Sequence, residues 1–198
     1  MFLKKYISTF FLFLLMSIEA FCQSGQVSFM TDKEQEVIRL VNYVRTQPAQ
    51  FAEQYLLPLK NESADALECY NELKNASPQK GLLPCKALSL SSRDHALEMG
   101  RTGKVGHFSV SGKSPGDRVK KYARFDGPWI GAWENCSYGL EDPLDIVLQL
   151  LIDENIPDRG HRKNILNENI ALIGVSIENH KTYGINCVMD MANSLTEK

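Results

Sequence analysis

The chain carries almost no excess charge of either sign, with 22 basic and 24 acidic residues among 198 and a net charge of −2. It therefore lacks the basic field on which binding to nucleic acid or to an anionic membrane depends. None of its five cysteines forms a C-x-x-C pair and no H-E-x-x-H pattern occurs, so two common zinc signatures are missing. No internal repeat or low-complexity tract is present, and no apolar run reaches the roughly 20 residues of a membrane-spanning helix. At 43% hydrophobic and 23% charged, the composition excludes a disordered, collagenous or coiled-coil chain. The length suits one domain or two small ones.

What is present begins with a leader. Met1-Phe2-Leu3-Lys4-Lys5 precedes an apolar run from Ile7 to Ile18 that stops at Glu19, the pattern of a secretory signal peptide. Cleavage after Cys22, with Ala20 and Cys22 at the small-residue positions, gives a signal peptide over 1–22 and a short leader over 23–30. An uncleaved anchor is the competing reading. Lipid anchoring at Cys22 is disfavoured, because Phe21 and Glu19 differ from the small residues such a site prefers. The expected location is outside the cytoplasm, secreted, periplasmic or extracellular. Removal of the leader leaves Cys69, Cys85, Cys136 and Cys187, an even set that in an exported chain reads as two disulfides with three possible pairings.

Thr31-Asp32-Lys33-Glu34 is a capping box, and Val37, Leu40, Val41 and Val44 follow at helical spacing. Pro48 breaks that helix, and a further helical stretch from Phe51 ends at Pro58. A polar excursion from Lys60 to Gly81 contains a short helix around Ala64 to Leu73. Helices are also predicted from Ser89 to Gly103, from Ser114-Pro115, and from Asp142-Pro143 with Leu144, Val147, Leu148 and Leu151 at core spacing. Strands are predicted over Trp129 to Tyr138, Ala171 to Ile177 and Thr182 to Met191, with Asn179-His180 as a hairpin turn. The fold class is α+β, a small antiparallel sheet covered by helices. On this layout Cys69 pairs with Cys85 across the excursion, and Cys136 pairs with Cys187 between strands of one sheet.

Glu154 lies seven residues after Val147 and three after Leu151, so it either continues the apolar helix stripe inward or follows a frayed helix end into solvent. His161 sits in Arg159-Gly160-His161-Arg162-Lys163-Asn164, whose basic residues read as solvated. His107 follows Gly106 at a helix end, and Glu134 is an acid within an apolar strand. Two His and two Glu at element ends supply the chemistry of a divalent-metal or general acid–base site. His95 and His180 read as surface residues.

In this order, Gly106-His107-Phe108, Trp133-Glu134-Asn135, Leu151-Ile152-Asp153-Glu154, Gly160-His161-Arg162-Lys163-Asn164-Ile165-Leu166 and Ile173-Gly174-Val175 resemble the CAP superfamily, the SCP domain of cysteine-rich secretory, antigen 5 and pathogenesis-related proteins. Asn42-x-x-Arg45 matches its opening motif, and the Gly-His-Arg-x-Asn-Ile-Leu segment is closest to bacterial members. The resemblance spans Asp32 to Ala192, giving a domain over 31–192 and a tail over 193–198. It implies an α/β/α sandwich with a central antiparallel sheet and a cleft tetrad of His107, Glu134, Glu154 and His161, whose histidines hold a divalent ion in some members. Trp133 stands where the family commonly has Gly, and Leu151 where it often has Trp. These departures alter the cleft, and no substrate is carried across.

Three functions follow as expectations. The first is a secreted binding module whose cleft holds a divalent metal, zinc foremost, on His107 and His161, or a small ligand, without turnover. The second is a metal-dependent hydrolase, possibly a peptidase, with Glu134 or Glu154 moving protons. The third is an interaction module meeting a lipid or an extracellular protein, its cleft vestigial.

Overall fold

The computed structural model describes residues 28–126 and 131–198. The expected signal peptide over 1–22 and the strand start at Trp129 lie outside the described residues.

Helix α1 (Asp32–Thr46) starts on a reciprocal cap: Thr31 N–H donates to Glu34 Oε2 at 2.7 Å and Glu34 N–H donates to Thr31 Oγ1 at 3.3 Å. Val37, Val41 and Val44 are fully buried, as their spacing requires. The Asn42-x-x-Arg45 pair has a structural task. Asn42 clamps both polar groups of Leu82, and the buried Arg45 guanidinium donates to the carbonyls of Lys80, Ile165, Asn167 and Ile170. It thus ties together chain segments more than 30 residues apart through backbone carbonyls.

Pro48 opens the short α2 (Pro48–Phe51), which runs into a π-helical turn at Ala52–Leu56. Helix α3 (Ala64–Asn75), capped by Ser63, buries Cys69, Tyr70 and Leu73, so the polar excursion has more of a core than its composition suggests. Then come α4 (Lys86–Thr102), stopped by Gly103 at φ 73°, α5 (Pro115–Val119), α6 (Pro143–Ile152) and α7 (Gly160–Ile165). The first residue of each of α5 and α6 is a proline behind a capping Ser114 or Asp142.

The main sheet runs β1 (Leu83–Pro84), β4 (Leu172–His180), β5 (Gly184–Ala192), β3 (Ala132–Tyr138). The three long strands are antiparallel, as expected, while the two-residue β1 joins β4 in parallel and makes the sheet mixed. A second ribbon pairs β2 (Ala123–Phe125) with β6 (Leu195–Glu197), so residues 193–198, expected as a tail, contribute a strand. The hairpin turns at 181–183, beyond the expected Asn179-His180. His180 is buried there: its Nδ1 accepts the N–H groups of Thr182 and Tyr183, each at 3.2 Å, and its Nε2 lies 2.9 Å from the Lys104 carbonyl.

Helices α1 and α6 cover one sheet face in the main core, with α3 packed behind them against α6, and α4 covers the other face. The architecture is the α+β sandwich anticipated above. Helix α4 sits unusually close to the sheet: a Cβ on Gly174 would lie 2.1 Å from the Ser89 nitrogen, and one on Gly100 would lie 2.0 Å from the Asn179 oxygen.

The layers also overturn the disulfide expectation, because all four described cysteines are free. Cys136 lies opposite Val188 and Ser137 opposite Cys187, so the two cysteines project from opposite sheet faces. Cys69 and Cys85 are likewise divided between the main core and the cluster beneath α4. Burial pushes the Cys69 thiol up to about 12 and raises the others too, consistent with thiols packed as small apolar groups.

Candidate functional site

The loop after α4 carries His107. Gly106 adopts φ 107°, which favours glycine, and its carbonyl lies 2.8 Å from His95 Nε2 while its N–H donates to Tyr138 Oη at 3.0 Å. His95 is therefore a buried support for the loop, not a surface residue, and its burial lowers its pKa. Arg118 of α5 donates to the His107 carbonyl at 2.8 Å.

The His107 side chain is 46% exposed, but its Nδ1 lies 2.9 Å from Oε1 of Glu134, whose side chain is 1% exposed. The other Glu134 oxygen pairs with Arg118 Nη2. Burial pushes the Glu134 carboxyl up, but the His107 hydrogen bond and the Arg118 charge outweigh it and hold it below the usual carboxylate range. An ionised carboxylate only accepts, so the Nδ1 of His107 carries a proton and, in the neutral tautomer this selects, Nε2 keeps the lone pair.

His161 repeats this arrangement with a different acid. Helix α6 ends at Ile152, and Asp153 turns into the left-handed region at φ 54°. The buried Asp153 carboxylate accepts from His161 Nδ1 at 2.7 Å, from His161 N–H at 2.9 Å and from Arg162 N–H at 3.4 Å. Glu154, expected in the tetrad, is exposed, because the helix stops two residues before it and the apolar stripe no longer governs its direction. The carboxylate beside His161 is Asp153.

The two imidazole centroids are 6.4 Å apart with planes at 44°, and neither Nε2 bonds to a described residue. Beside His161 lies a cavity of about 540 Å³ lined in part by Tyr138, Ile152, Ile156 and Glu154. His107 and His161 thus lie side by side, with the Glu134 carboxylate buried beneath His107. The strand holding Glu134 is fixed from the α7 side, where Asn135 donates to the His161 carbonyl at 3.0 Å and Asn164 donates to Asn135 Oδ1 at 2.8 Å.

A deeper group sits below. His95, Glu134 and Cys136 each offer one ligand atom within 4.8 Å of the others, a spacing that could hold a metal ion. Asp190, opposite Glu134 on β5, is fully buried, and burial together with the Glu134 charge pushes its carboxyl well above the usual range. Sequence reasoning missed Asp153, Arg118, His95 and Asp190. Asp190 did carry a signal, being an acid in an apolar strand just as Glu134 is. Arg159 and Arg162, read as solvated, are ion-paired, and Arg162 is fully buried.

The fold is an α/β/α sandwich, and it carries two neighbouring histidines, each oriented by a carboxylate. The chain belongs to the cysteine-rich secretory protein family (CAP), which it matches over residues 38–191. It is 37% identical over 108 residues to the uncharacterized protein YkwD of Bacillus subtilis, a match covering 52% of this chain and 39% of that protein. Among solved structures it is similar to an outer surface protein of Borrelia burgdorferi, at TM-score 0.46 and 18% identity, covering 71% of this chain and 90% of that one. A second is an extracellular protein containing a SCP domain from Bacillus anthracis, at TM-score 0.46 and 20% identity, covering 71% and 40%.

Proposed function

We propose that this is a secreted module whose cleft binds a divalent metal ion, zinc foremost, or a small ligand, between His107 and His161 and without turnover. The observation that carries the reading is the matched pair of imidazoles, each tied through Nδ1 to a buried carboxylate with Nε2 left for an outside partner. Carboxylates so placed fix the tautomer and ring direction of metal-binding histidines. Two imidazoles on one tetrahedral zinc hold their centroids about 5 Å apart, given zinc–nitrogen distances of about 2.0 to 2.1 Å. The observed 6.4 Å is wider than that, so the two rings would have to close on the ion.

The deeper set of His95, Glu134 and Cys136 fits a cation less well. Arg118 already supplies a positive charge to Glu134 within that buried space. Burial and the neighbouring acids also hold the Cys136 thiol protonated. A metal bound at His107 and His161 would supply Lewis-acid chemistry, but the two acids that orient these rings are not free to move protons, which leaves the exposed Glu154 on the cavity wall for that role. Glu134 is fixed between His107 and Arg118, and Asp153 between His161 and two backbone N–H groups.

The interaction-module reading has one observation of its own. Phe108 and Val110, in the loop of His107, are 64% and 50% exposed and offer an apolar rim to a lipid or extracellular protein. Among the described residues no helix is long and apolar enough to cross a membrane. Zinc titration by calorimetry tests the proposal. Saturable binding by the wild type that is lost in the His107→Ala, His161→Ala double variant supports it; equal weak heats from both reject it.

A further inference from the structure

The polar excursion between α2 and β1 has no evident part in the cleft, yet its helix reaches the loop of His161. Asp65, Glu68 and Glu72 follow at i, i+3 and i+7 on α3, and so share one face. Opposite them runs the segment 153–159 between α6 and α7. It contains all three non-glycine residues with positive φ among the described residues: Asp153 at 54°, Asn155 at 61° and Arg159 at 52°. Asp and Asn enter that region readily, but Arg159 keeps it only where its surroundings fix it.

The fixing groups are two guanidiniums held by the α3 acids. Arg159 donates to Glu68 from Nε at 3.1 Å and from Nη2 at 2.8 Å, and Nη2 also pairs with Asp65. Its Nη1 donates to the carbonyls of Asp153 and Ile156, each at 3.0 Å. Arg162 donates from Nη1 to Glu68 at 3.0 Å and to Glu72 at 2.6 Å, while Nε and Nη2 donate to the carbonyls of Leu151 and Ile152. Asp65 also accepts directly from the Asn155 N–H at 2.9 Å. Each arginine is therefore a rivet, with carboxylates of α3 on one side and the carbonyls leading out of α6 on the other. Asp153, the acid that orients His161, lies at the centre of the riveted segment.

We infer that α3 is a clamp for the cleft, with Asp65, Glu68 and Glu72 as positioning residues that act on His161 through Arg159, Arg162 and Asp153; the part of this that concerns metal rests on the function proposed above. Glu68 is the hub, since it alone touches both arginines. Its effect comes through reach, because the bonds it makes close a fixed geometry, and only secondarily through its charge.

Two substitutions separate reach from charge. Glu68→Asp keeps the charge and shortens the arm by one methylene, whereas Glu62→Gln removes an exposed acid of the same excursion that lies outside the clamp. Calorimetric titration with zinc should show Glu68→Asp weakened about fivefold or more, somewhat less than the roughly 10- to 100-fold seen when a group touching a metal-binding histidine is lost, and Glu62→Gln unchanged. Amide hydrogen exchange on the metal-free variants gives a second readout: Asn155 and His161 should exchange faster in Glu68→Asp while the amides of α1 stay as in the wild type. If Glu68→Asp binds zinc as the wild type does and leaves both amides protected, the clamp is overturned. Weakening by Glu62→Gln but not by Glu68→Asp would instead assign the effect to charge and also overturn it. Should the wild type bind no zinc, the metal reading fails alone, and the exchange of Asn155 and His161 still decides the clamp.

Discussion

Replacing Asp153 by asparagine isolates its charge, because asparagine tolerates the left-handed backbone that Asp153 adopts at φ 54°. One carboxylate oxygen accepts from His161 Nδ1, and the other from the N–H groups of His161 and Arg162. An amide has only one such oxygen. If that oxygen keeps the backbone N–H groups, the NH₂ faces His161 Nδ1 and drives the ring to the other tautomer, with the proton on Nε2 and no lone pair left for a metal. If it keeps the imidazole, two backbone donors lose their partner in a buried site. Either outcome removes at least one charge-assisted hydrogen bond, a cost of about 1.5 to 3 kcal/mol. The expected result for Asp153→Asn is a loss of about 2 kcal/mol in urea unfolding and a tenfold or greater fall in zinc affinity, with the tautomer read from ring ¹⁵N shifts. Glu154→Gln, at an exposed position, should change stability by less than about 0.5 kcal/mol. Loss of zinc binding in Glu154→Gln with Asp153→Asn unaffected would refute the reasoning and restore Glu154 to the site.

Three other outcomes follow. Gly174→Ala places a Cβ 2.1 Å from the Ser89 nitrogen and 2.3 Å from the Leu88 carbonyl carbon, so α4 must move off the sheet; thermal unfolding should show a loss of about 3 kcal/mol or more, and a neutral variant would contradict the close approach. Cys69, Cys85, Cys136 and Cys187 should resist iodoacetamide in the native protein and all label in denaturant without reductant, as read by intact mass, whereas a two-dalton deficit per pair would show a disulfide. Burial holds the pKa of His95 below its unfolded value of about 6.5, so its contribution to stability is full above that pH and is lost as pH falls through the folded pKa. The urea midpoint should therefore drop as pH falls below about 6.5, and His95→Gln should flatten that drop; an unchanged slope would count against a buried neutral His95.

Local signals marked most elements because each has a local cause. Thr31 with Glu34, Ser114 with Pro115, Asp142 with Pro143, and Gly103 each fix a helix end through neighbours within four residues. The strands β1, β2 and β6 have two or three residues and no such signal, since they exist only through partners far along the chain. In the cleft, His107, Glu134 and His161 stood out as polar residues at glycine-flanked or apolar positions. Choosing Asp153 over Glu154 required knowing where α6 ends, and helix periodicity says nothing once the chain enters a left-handed residue. The disulfide expectation failed for a related reason: counting cysteines is local, but which sheet face each occupies depends on the register of β3 with β5.

The central claim is that a metal ion, when bound, is held by His107 and His161 in the open cleft and not by the buried set of His95, Glu134 and Cys136. X-ray absorption at the zinc edge of the loaded protein tests it most directly. The account predicts imidazole nitrogen and light-atom scatterers at about 2.0 to 2.1 Å with no sulfur, a spectrum that disappears in the His107→Ala, His161→Ala variant. A sulfur scatterer at about 2.3 Å that persists in that variant and vanishes in Cys136→Ser would place the ion in the buried set and contradict the account.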